Sequence, residues 1–183
     1  IGRGAGLSCV APDDVGGGRL AARTLLELGH QRLLHLSVLG DSQWHADRAE
    51  GFAEVIDDAG EQVSLVQMRG EQSVLGGYRL MRDAWLAGQR PSAVFCATDE
   101  MAVGAYGALM DLGVRVPEAM SMLGFDGLAP ELQPGLATIA QDIPLIAHEA
   151  VSLVLEAIEQ RPPRQVVVPV RLEAGPSLAS APA

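Results

Sequence analysis

Aromatic residues are scarce: three Phe, two Tyr and two Trp in 183 residues, 4% of the chain. The core must therefore come from Leu, Val, Ile and Ala, which the 48% hydrophobic content supplies. Cysteine is also sparse. Cys9 and Cys96 have no metal-ligand spacing, a disulfide framework is not expected, and Cys96, inside an apolar run, reads as a buried thiol. Positive charge is in deficit. Thirteen basic residues face 23 acidic ones, the net charge is −10, and no basic run occurs. Nucleic-acid phosphates are held by Lys and Arg, so this chain is not expected to grip DNA by itself. No apolar run approaches the roughly 20 residues needed to span a bilayer. An initiating Met, a signal peptide, internal repeats and low-complexity segments are all missing.

Catalytic signatures are equally thin. His30, His35, His45 and His148 show neither metal spacing nor a companion Cys, which favours structural or solvated roles. There is no Gly-x-Ser-x-Gly elbow. Gly16-Gly17-Gly18 lacks both the strand–Gly-x-Gly-x-x-Gly order and the P-loop Lys of nucleotide sites. Asp57 and Asp58 read as a solvated helix face. Without a nucleophile, base and orienter the chain is read as no enzyme, with no metal and no cofactor.

What the chain does have is alternation. Apolar runs at Arg32 to Val38, Val63 to Met68, Ala93 to Ala97, Met120 to Phe125 and Leu136 to Ala140 read as strands. Between them, Ala49, Phe52, Ala53 and Ile56 share a helical face, as do Val74, Tyr78, Met81 and Trp85, and Ala102, Ala105, Leu109 and Leu112. Gly29, Gly60, Gly88 and Gly113 each follow a helical run, where a left-handed cap belongs. This pattern predicts an α/β fold: a doubly wound parallel sheet with helices on both faces. Further on, Asp142 caps a helix with Pro144 in its first turn and an apolar stripe at Ala147, Val151, Val154 and Ile158. Pro162-Pro163 ends it, Gln165 to Val170 reads as one strand, and Leu178 to Ala183 as a disordered end.

Ligands of open α/β sheets bind beyond the carboxyl ends of the strands. Those ends carry Asp41, Ser42, Gln43, Trp44 and Arg48, then Thr98 and Asp99, then Asp126, then Gln141 and Asp142. Carboxylates accept hydroxyl protons, a guanidinium donates in a fixed plane, and an indole can cover an apolar sugar face. The set suits a sugar or polyol, and also a purine or another small polar ligand. Asp99 precedes a helix and is equally explained as its N-cap; Asp142 reads as a cap rather than a ligand.

Several runs together resemble one family. They are Asp13-Asp14-Val15-Gly16-Gly17 with the helix to Leu28-Gly29-His30, Arg48-Ala49-Glu50-Gly51-Phe52, Thr98 to Gly104, Leu112 to Pro117, Gly124-Phe125-Asp126 and Thr138-Ile139-Ala140-Gln141. In order and spacing they resemble the effector domain of LacI-family transcriptional regulators, of periplasmic-binding-protein-like type I fold. The resemblance implies two lobes with a small effector in the cleft between them. It implies ligand-binding roles for Arg48, Asp126, Asp99, Thr98, Gln141 and Trp44, with Thr98 standing where Asn is common. It further implies that residues 1–12 end the N-terminal lobe and cross over, 13–141 form the C-terminal lobe, 142–170 return a helix and strand to the N-terminal lobe, and 171–183 form a tail. Most of the N-terminal lobe and the DNA-reading head would lie upstream of Ile1, leaving the apolar stripe from Ala147 to Ile158 uncovered. The implied protein is a cytoplasmic homodimer, paired through the helix carrying Met101, Val103 and Leu109 and the loop near Leu132. It would bind a small polar effector of the sugar class and reach operator DNA only through the missing head, with no membrane contact. A periplasmic sugar-binding protein of an importer shares the fold and is the alternative.

Overall fold

The computed structural model describes residues 6–40, 42–128 and 135–182. Asp41 and Leu132 lie outside the described residues. The main sheet has six strands: β2 (Arg32–Val38), β3 (Ser64–Gly70), β4 (Ala93–Cys96), β5 (Ser121–Asp126), β6 (Ala137–Gln141) and β8 (Val170–Glu173), in the order β3-β2-β4-β5-β6-β8. All neighbours run parallel except β6 and β8. Parallel neighbours need crossovers. Helix α2 (Gln43–Ala59) connects β2 to β3, α3 (Val74–Leu86) connects β3 to β4 and α4 (Asp99–Asp111) connects β4 to β5, while α1 (Asp14–Glu27) leads into β2. A second unit joins β1 (Cys9–Pro12) to β7 (Gln165–Val168) in a parallel pair, with α5 (Ile143–Ile158) against them.

Strand periodicity sorts the core into two layers. Leu34, Leu36, Val94 and Met122 face Met81, Met101 and Leu109 on the α3 and α4 side. Leu33, Phe95, Leu123 and Phe125 face Leu25, Phe52 and Ile56 on the α1 and α2 side. Gly29, Gly60, Gly88 and Gly113 all have positive φ, as expected of left-handed helix ends. His35, fully buried in β2, packs its ring against both Phe52 and Phe95, with centroids 5.3 and 4.9 Å away, and the two Phe rings are also 4.9 Å apart, so the three form a triangle. Burial holds its pKa down at about 3.

Two expectations are corrected at the end of the chain. The single strand over 165–170 is two strands in different sheets: Pro169 has no N–H to donate, and the chain changes sheet there. Residues 178–182 are ordered, and Ala183 lies outside the described residues. Ser177 Oγ donates to Met122 O (2.7 Å) and accepts from Ala137 N–H (2.8 Å). Ala179 O accepts from Ser121 Oγ (3.0 Å) and lies 3.0 Å from His30 Nε2, while Ala181 N–H donates to Leu28 O (2.8 Å). Composition suggested disorder because it cannot show these long-range partners. The α5 stripe is uncovered as expected: Val151, Val154 and Ile158 are each at least 60% exposed. On α4, by contrast, Met101 and Leu109 are fully buried core residues, and the exposed apolar side chain is Met110.

Candidate functional site

The site begins with two helices that approach unusually closely. A Cβ on Gly18 would run into the Arg48 carbonyl, and one on Gly51 would run into the Val15 carbonyl. These reciprocal contacts seat the first turn of α1 against the second turn of α2. Gly17 in turn makes room for the Phe125 ring. The glycine run thus serves helix packing, and it brings Asp14 to Arg48.

Arg48 is 4% exposed and heavily engaged. Its Nε donates to Asp14 Oδ1 (2.7 Å), and its Nη1 donates to Ala97 O (2.6 Å) and Asp126 Oδ1 (3.2 Å). The guanidinium carbon lies 3.7 Å from the centroid of the Phe125 ring. Gln141 Nε2 donates to the same Asp126 Oδ1 (2.8 Å), and the Asp99 backbone N–H also contributes a bond to the Asp126 carboxylate. Nη2 of Arg48 makes no hydrogen bond among the described residues. Burial raises the pKa of both Asp14 and Asp126, opposed in each case by Arg48. Asp126 also has φ 125°, a conformation that non-glycine residues adopt only under strain.

These groups form the floor of a cleft of about 1030 Å³ between the main sheet and the β1–β7–α5 unit. Arg48, Asp126, Gln141 and Trp44 all line it, so four of the six expected residues come together. Trp44 is 46% exposed, leaving a ring face open to a ligand. Thr98 and Asp99 are not among the lining residues. Thr98 is the N-cap of α4, accepting from Met101 N–H (3.2 Å). Asp99 is fully buried; its Oδ2 accepts from Leu128 N–H (2.7 Å), and its carboxylate lies where a Gly124 side chain would be. Asp142 is the N-cap of α5, accepting from Leu145 N–H (3.0 Å).

Sequence reasoning missed Asp14, His45 and Gln72, which also line the cleft. Asp14 carried a legible signal. Asp13 already caps α1, accepting from Gly16 N–H (2.9 Å), so a second carboxylate beside it is surplus to capping. His45 is half-buried, and burial together with Arg48 lowers its pKa to about 4, so it is neutral at pH 7. No group of three or more His, Cys, Asp or Glu able to hold a metal occurs among the described residues. No helix among them is long and apolar enough to cross a membrane.

Comparison with known proteins accords with this architecture. Residues 22–178 match the periplasmic binding protein-like domain. The chain is 34% identical over 158 residues to the HTH-type transcriptional regulator GalR of Escherichia coli K12, covering 84% of this chain and 46% of GalR. It thus spans about half the length of that curated relative. A LacI family transcriptional regulator from Enterococcus faecium, solved with bound ribose, superposes with TM-score 0.85 at 31% identity, covering 94% of this chain and 66% of that one. The transcriptional regulator CelR, in complex with cellobiose, superposes with TM-score 0.86 at 27% identity, covering 94% and 54%. These proteins are regulators rather than enzymes. The chain belongs to the periplasmic binding protein-like domain family, in the form carried by LacI-family transcriptional regulators as their effector-binding domain.

Proposed function

We propose that this chain is the sensing domain of a cytoplasmic transcriptional regulator and that its effector is a sugar or closely related polyol. The observation that carries this reading is the unused hydrogen-bonding capacity at the cleft floor. Nη2 of Arg48 has two N–H groups without a partner among the described residues, while Asp126, with about four acceptor positions, receives three donors. A planar pair of donors beside a carboxylate acceptor matches vicinal hydroxyls, and Trp44 offers a face for the apolar side of the ring. The ribose-bound and cellobiose-bound neighbours support the same ligand class.

The response would be a population shift. An effector touching both the cleft floor and the β1–β7–α5 unit binds one relative arrangement of the two better than the other. In the whole regulator that shift would reposition paired DNA-reading heads, with the chains forming a homodimer. Calorimetric titration of the chain with ribose, galactose and cellobiose tests the reading. Saturable binding of one of them, weakened by Trp44→Ala, is the expected result; folded protein that gives no heat with any sugar overturns it.

A further inference from the structure

The charge balance at the cleft floor goes beyond recognition of hydroxyls. The chain contains no lysine, so every strong base is one of its 13 arginines. Two of these line the cleft, Arg48 and Arg161. Arg161 is paired with Glu159 at 2.7 Å and stands 61% exposed. Arg48 is paired twice, with Asp14 at 2.7 Å and Asp126 at 3.2 Å. One positive charge thus faces two carboxylates. The more accessible partner is Asp126, with 21% side-chain exposure against 5% for Arg48 and 2% for Asp14. The opposing effect comes from α2, whose Ser42 makes no side-chain capping bond, leaving its N-terminus open toward the cleft. A helix N-terminus amounts to about half a positive charge, less than the surplus carboxylate.

We propose that Asp14 is a specificity-determining residue: by cancelling Arg48 it leaves Asp126 as surplus negative charge, so the cleft accepts an uncharged sugar and rejects its phosphorylated or carboxylated counterpart. The inference rests on the sugar-sensing reading and names the charge class of its ligand. Asp14 lines the cleft but its side chain is only 2% exposed, so it acts by its charge and by holding the guanidinium plane of Arg48.

Matched pairs of ligands test it: ribose against ribose 5-phosphate, and galactose against galactose 6-phosphate, titrated into the wild-type chain by calorimetry. The neutral member is expected to bind tighter by about tenfold or more. Asp14→Asn keeps an oxygen for Arg48 Nε but removes the charge, and should shrink the neutral-to-phosphate affinity ratio by a similar factor. Asp126→Asn, which removes the other carboxylate, should move the ratio the same way and serves if Asp14→Asn does not fold by circular dichroism. A sugar phosphate that binds the wild type as tightly as its neutral partner overturns the proposal, and so does an unchanged ratio in the folded variants. If no sugar of either kind binds, the sugar reading fails and inorganic phosphate alone decides the charge question. Millimolar phosphate should then raise the melting temperature of Asp14→Asn more than that of the wild type; equal responses, including none in either, overturn it.

Discussion

Asp14 and Arg48, 34 positions apart, form an ion pair at 2.7 Å in which both side chains are at least 95% buried. Such a pair costs desolvation to form, but removing one member strands a buried charge, which typically costs about 3–5 kcal/mol. Arg48→Ala leaves two carboxylates without their cation and is therefore expected to destabilise the fold strongly as well as abolish effector binding. From sequence alone, the same substitution would be expected to spare the fold. Urea denaturation of Arg48→Ala beside Arg48→Lys separates the two effects. The Lys variant should recover part of the stability, because it keeps the charge, but little of the binding, because it loses the planar fork.

Asp126 carries strain at the point where it faces the cleft. Asp126→Gly loses the contact with Arg48 but relaxes φ 125°, whereas Asp126→Ala loses the contact and keeps the strain. The Gly variant should be the more stable of the two by about 1 kcal/mol or more, with binding lost in both. Equal denaturation midpoints would show that the backbone at Asp126 is relaxed.

The ordered end of the chain is a staple across the amino ends of β2, β4 and β5, opposite the cleft. Removing residues 176–183 deletes the Ser177 bonds to Met122 and Ala137 and the Ala181 bond to Leu28. It also leaves His30, 1% exposed, without its contact to Ala179. The melting temperature should fall by several degrees, on the order of 4–8 °C for each 2 kcal/mol lost in a domain of this size. His30→Ala should show a smaller fall in the same direction, with sugar affinity unchanged in both.

Acid should weaken the fold mainly through His35. Its folded pKa of about 3 lies below the ordinary value of 6.5, so between these limits the unfolded chain takes up a proton that the folded chain refuses. Stability is then full above pH 6.5 and declines as pH falls toward 3. His45, lowered to about 4, acts the same way over a narrower range, so its contribution is smaller. Asp14 and Asp126 act oppositely. Their raised values mean that the folded state gains protons first as the pH is lowered, which offsets part of the loss. His35→Leu should flatten the decline of the urea midpoint between pH 6.5 and 4; an unaltered slope would assign the acid sensitivity elsewhere.

The sheet and its helices were legible because each depends on local periodicity and on glycine stops. Arg48, Asp126, Gln141 and Trp44 were legible as cleft-lining residues because an open α/β sheet places its cleft beyond the carboxyl ends of the strands. What escaped depends on contacts distant in sequence. Thr98 and Asp99 sit at a strand end like the others, and only the three-dimensional structure shows them turned to capping and to holding Leu128. Asp14 stands beside the capping Asp13, and its partner Arg48, delivered by close glycine packing, lies 34 positions away in sequence. Pro169 marked an interruption, but nothing in its neighbours reveals that Val168 and Val170 serve different sheets.

That single proline has a mechanical consequence. The chain passes between its two sheets at residues 13, 142 and 169. Asp13 N–H donates to Val168 O (2.8 Å), which clamps the first and third passages together, and the φ of Pro169 is held by its ring. Two fixed points define a line: the clamped pair is one, and the passage at Asp142 is the other. A swing of the small sheet about that line, like a door on two pins, would change the width of the cleft while bending the chain only at those passages, whereas sideways shear would load the covalent chain itself.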